Sequence, residues 1–150
     1  MNLLLLLLAA HFSIGGVKLG DDYTAFQDKY VDAYCYRETK TTAVCEDDDS
    51  YLYKRPAYMR AEFTDDKLTY FSLTSDAGIS TAKKAATELE KSFGSPTNRY
   101  AQDNDSLNEV WSTDSEQLEL SYTSAAENKL GHPITRVSLA AGREITVEVF

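Results

Sequence analysis

The chain has 150 residues, 43% hydrophobic and 26% charged, which suits one ordinary globular domain and is too apolar for wholesale disorder. Only 3 Pro and 7 Gly exclude collagen-like or linker-type chains. Lys plus Arg number 15 against 24 acidic residues, a net charge of −9, which argues against nucleic acid or anionic lipid as a partner because both select a basic face.

Residues 2–10 read Asn-Leu-Leu-Leu-Leu-Leu-Leu-Ala-Ala. That apolar run is far shorter than the roughly 20 residues a membrane-spanning helix requires. Its length predicts a secretory leader over residues 1–16, cut somewhere between 10 and 20, with a single domain over 21–150. Small residues precede candidate cuts after Ala10 and after Gly15. The second has small residues at both key positions, Ser13 and Gly15. No Lys or Arg precedes the leucines, and no Cys follows them closely enough for lipid attachment.

Export makes the two cysteines, Cys35 and Cys45, candidates for a bond, since an oxidising compartment favours it. Residues 30–36 and 41–45 are rich in β-formers, and the polar stretch 37–40 links them. A hairpin built from these runs sets Cys35 across from Cys45.

Upstream, Asp21 or Asp22 is a candidate cap for a short helix whose apolar face is Tyr23, Phe26 and Tyr30. Downstream, Glu46-Asp47-Asp48-Asp49-Ser50 reads as a solvated loop. Residues 59–63 alternate with period two, Thr64-Asp65-Asp66-Lys67 is a turn, and residues 68–73 return as a second strand. The principal helix is predicted over about 79–93, with Ile79, Ala82, Ala85, Ala86, Leu89 and Phe93 at helical spacing. Ser80 or Asp76 is its candidate cap, and Gly94 with Pro96 its stop. A second hairpin starts near Glu109, with Leu118, Leu120 and Tyr122 alternating. Thr135, Val137 and Leu139 form another strand, and Ile145, Val147 and Val149 the last. The sum is an α+β fold: one antiparallel sheet of about six to eight strands, with the helix on its apolar face against Phe71, Trp111, Leu118, Leu120, Val137 and Val147.

Catalytic signatures are sparse. After leader removal His132 alone remains for a Ser-His-Asp arrangement, and no nucleophile elbow accompanies it. Zinc spacing and phosphate-binding loops are missing, so neither metal nor cofactor is expected. Asp47, Asp48 and Asp49 are adjacent rather than alternate, unlike a calcium loop.

Tyrosine stands out, with seven of ten between Tyr30 and Tyr70. Its ring and polar tip suit interfaces. Tyr34 and Tyr36 share one strand face opposite Cys35. Tyr51 and Tyr53 are expected to share another, so that the four form an aromatic strip bordered by Asp47–Asp49 and Arg55. Together these features predict an acidic, exported, non-enzymatic binding module, periplasmic or secreted, such as an inhibitor of a cationic protein. An envelope scaffold pairing through residues 145–149 is the first alternative, and a small hydrolase using His132 the second.

Overall fold

Alternating apolar and polar residues build this sheet in pairs of strands, and tight turns decide which strands meet. The computed structural model describes residues 11–141, so the leader residues 1–10 and the expected strand at 145–149 lie outside the described residues. In chain order the elements are helix α1 (Tyr23–Lys29), strands β1 (Tyr34–Arg37), β2 (Thr42–Leu52), β3 (Arg55–Thr64) and β4 (Lys67–Ser75), helix α2 (Ile79–Phe93), then β5 (Asn98–Gln102), β6 (Ser106–Ser112), β7 (Glu116–Thr123) and β8 (Ile134–Ala141). The eight strands form one open antiparallel sheet in the order β1-β2-β3-β4-β8-β7-β6-β5. This is the predicted α+β fold, two four-strand meanders joined through β4 and β8, with the principal helix where its spacing placed it.

Register carries one apolar rung across seven strands: Cys35, Cys45, Ala61, Phe71, Leu139, Leu118 and Trp111. All but Cys35 are at most 2% exposed. Helix α2 covers the β6–β8 half of this face with Ala82, Ala85, Ala86 and Leu89, small side chains that permit close approach. Phe71 meets a different cover from the one expected. Its ring faces Phe26 of α1, 6.2 Å between centroids, and Phe26 also packs edge-on against Phe63 at 5.2 Å. The sheet is too wide for one helix, and α1 fills the other half.

Asp22 caps α1, its Oδ1 accepting from the Thr24 N–H at 2.9 Å. Neither Ser80 nor Asp76 caps α2; Gly78 holds that position without a side-chain bond. Gly94 ends α2 at φ +79°, and its carbonyl accepts from Trp111 Nε1 at 2.9 Å. The run Glu46–Asp49, expected as a loop, is instead part of β2. The strand continues through it because β3 pairs on both sides, and the surplus residues form an irregularity between Asp47 and Ser50. β5, all of whose residues are exposed, has no apolar alternation and was not expected as a strand.

Residues expected to leave with the leader are in the core. Phe12, Ile14 and Val17 are 7%, 8% and 0% exposed, and Phe12 packs edge-on against Phe93 at 5.3 Å. Residues 12–19 thus contribute side chains to the packed core.

Two-residue turns close the β2–β3 and β3–β4 hairpins. Asp65 and Asp66 have φ of +51° and +62°, which a short polar side chain tolerates. Tyr53 and Lys54 adopt +46° and +67° without that tolerance. Replacing the exposed Lys54 by Gly should relieve local strain and raise stability by about 0.5–1 kcal/mol. Urea denaturation checks this, with a shifted midpoint at unchanged slope as the expected result.

Candidate binding face

α1, α2 and residues 11–17 pack on one side of the sheet; among the described residues no helix covers the opposite side. Register assigns its residues. One rung reads Tyr34, Glu46, Arg60, Ser72, Ser138, Glu119, Val110 and Asn98. The next reads Tyr58, Thr74, Arg136, Ser121, Asn108 and Tyr100. Among the described residues, four of the six exposed large apolar ones are tyrosines in register with this side: Tyr34, Tyr51, Tyr58 and Tyr100.

Tyr34 and Tyr36 do share a face opposite Cys35, and their rings lie 5.5 Å apart. Tyr34 is 68% exposed. Tyr36 is half-buried, opposite Val44, which is itself only 1% exposed. Tyr36 thus belongs to local packing as much as to the surface.

Tyr51 and Tyr53 do not share a face. Tyr51, 67% exposed, pairs with Pro56 at the end of the sheet, on the side of Tyr58. Tyr53 lies in the turn, and its ring packs on the helix-side core. Burial, with Glu88 nearby, pushes its phenol pKa up. Both residues line a hollow of about 430 Å³ between this turn, α2 and residues 13–15. Arg55 pairs with Leu52 and so keeps the helix-side register, leaving the tyrosine strip without it. The signal for this was missed because Tyr53-Lys54 has none of the usual turn residues.

Tyr58 and Arg60 take the places expected of Tyr53 and Arg55. The Tyr58 hydroxyl donates to Glu46 Oε1 at 2.6 Å, and Arg60 Nη1 donates to the same oxygen at 2.8 Å. Partial burial and the bond to Glu46 raise the Tyr58 pKa. Desolvation alone would lower that of Arg60, but Tyr58, Glu62, Tyr36 and Glu46 together raise it. This network fixes Tyr58 and neutralises Arg60 within the face. Asp48 and Asp49 remain exposed at its border. The alternation of residues 56–62 contains this signal: Pro56, Tyr58, Arg60 and Glu62 are the polar half of the strand.

The helix side holds a buried carboxylate, Glu109, in the middle of β6. Glu109, 3% exposed, lies in a rung with Met59, Leu73, Val137 and Leu120. Arg99 reaches its Oε1 at 3.4 Å and Glu90 at 2.6 Å, while its Oε2 has no partner. Burial, then the neighbouring Glu90, raises the Glu109 pKa against the opposite pull of Arg99. A carboxyl raised in the fold contributes stability that is complete below its unfolded pKa and lost as pH rises through the folded one. Glu109→Gln should remove that loss. The variant's thermal midpoint relative to the parent should be more favourable at pH 7 than at pH 4; an unchanged difference refutes this.

His132 sits in the exposed β7–β8 loop, its Nδ1 at 2.9 Å from the Pro133 carbonyl oxygen and bonded to no carboxylate. It is not among the residues lining the hollow. Among the described residues no group of three or more His, Cys, Asp or Glu is placed to hold a metal, and no helix is long and apolar enough to cross a membrane. The Cys35–Cys45 disulfide is formed and is consistent with an oxidising compartment. Compared with known proteins, the chain matches no family model, no curated protein and no solved structure.

Proposed function

We propose that this protein is an exported, non-enzymatic binding module that receives a cationic protein on the sheet face opposite α1 and α2. The observation carrying this reading is the concentration of exposed tyrosines on that one face, beside Asp48 and Asp49. Rigid rings offer contact area at low entropic cost, and a chain of net charge −9 attracts cations. The tyrosines are the anchors and the carboxylates steer the approach. The disulfide and the apolar run at residues 3–10 support an exported, periplasmic or secreted location.

The test uses a basic lysozyme as probe against the immobilised protein, with a salt titration. The expected result is binding that weakens with salt and falls at least about tenfold in a Tyr34→Ala, Tyr51→Ala, Tyr58→Ala triple variant, as truncated interface anchors do. No binding to the cationic probe, or binding indifferent to salt and to the triple variant, overturns the proposal.

A further inference from the structure

We infer that the leader is cut between Ala10 and His11, and that the new α-ammonium group of His11 then pairs with the buried carboxylate of Glu116. This rests on the export reading above. A cut after Gly15 would delete Phe12 and Ile14, which are 7% and 8% exposed and belong to the core. Such a cut would open a void beneath Phe93, the ring that Phe12 meets edge-on. A cut after Ala10 keeps every one of the described core residues.

Glu116 supplies the independent observation. It begins β7 and is 4% exposed, an expensive place for a carboxylate unless it is paired. Both oxygens point to the first described residues: Oε1 lies 3.2 Å from His11 Nδ1, and Oε2 accepts from the Phe12 N–H at 3.4 Å. The α-nitrogen of His11 is the next backbone nitrogen upstream, a single peptide unit of about 3.8 Å between Cα atoms. In the uncut chain that nitrogen is a neutral amide. Hydrolysis by an export-pathway peptidase adds one water across the Ala10–His11 bond. Ala10 departs with the carboxylate, and the freed amine of His11 takes up a proton, which places a full positive charge beside Glu116. The charge is created only by the cut, so the finished fold and the processed chain are coupled.

N-terminal sequencing and intact mass of the full chain exported by a cell should give His11 as the first residue. A start at Gly16 overturns this inference while leaving export standing; a start at Met1 overturns both. On the exported product, acylation of the α-amine at neutral pH should be at least about fivefold slower than in Glu116→Gln, because a paired ammonium seldom presents the free amine. The protein's lysines, acylating at the same rate in both, serve as the internal reference. Equal α-amine rates in the two proteins refute the pairing even if the cut is at His11.

Discussion

Trp111→Ala should destabilise the protein by about 3–5 kcal/mol, the usual cost of deleting a large buried aromatic side chain. Trp111 is 2% exposed and ends the apolar rung that crosses seven strands. It also joins layers. Its Nε1–H donates to the carbonyl of Gly94, the residue that terminates α2, so one side chain fixes where the helix stops over the sheet. Truncation therefore creates a cavity and releases the end of α2. Trp111→Phe keeps most of the ring and loses only the hydrogen bond, at about 1–1.5 kcal/mol plus a small packing term. Urea denaturation followed by far-ultraviolet circular dichroism separates the two, since the single Trp is lost in both variants. A cost below about 1 kcal/mol for the Ala variant would show that the helix is seated by α2's alanines alone.

The parts of the fold readable from sequence are those governed by local periodicity. Leu118, Leu120 and Tyr122 alternate with Gln117, Glu119 and Ser121, and every one of the first three is buried. The i, i+3, i+4 spacing over residues 79–93 fixes α2, and Gly94 its end. What escapes is governed by the partner strand. Glu46–Asp49 is polar enough to read as loop, yet β3 pairs on either side and holds it in the sheet. β5 has no burial to leave a trace of alternation.

The candidate face was half legible for the same reason. Cys35 opposite Cys45 put Tyr34 and Tyr36 on the far side by parity alone. Tyr51 reaches the same side only because the irregularity between Asp47 and Ser50 shifts the alternation by one, and the turn at Tyr53-Lys54 then takes Tyr53 and Arg55 off that face. The buried side of residues 11–17 was hidden by the leader-like leucines before it, although Phe12, Ile14 and Val17 are ordinary core residues by composition.

Removing the disulfide, as Cys35→Ala with Cys45→Ala, should cost about 3 kcal/mol, since the bond closes a short loop and restricts the unfolded chain. The sequence separation is 10, and the Cα atoms stand 4.1 Å apart as directly opposed residues of β1 and β2. The effect should be uneven across the molecule. β1 has four residues and, among the described strands, lies at the edge of the sheet and pairs with β2 alone, so without the covalent tie its amides should exchange with solvent well before those of β3, β4 or β8. Tyr34 and Tyr36 ride on β1. Reduction should therefore loosen Tyr34, one of the proposed anchors, at denaturant concentrations where the core, read by Trp111 fluorescence, is still folded. Hydrogen exchange resolved by strand, with and without reductant, checks this directly. If β1 and β8 lose protection together, the edge is part of the global cooperative unit, and the disulfide stabilises the whole domain rather than the binding face in particular.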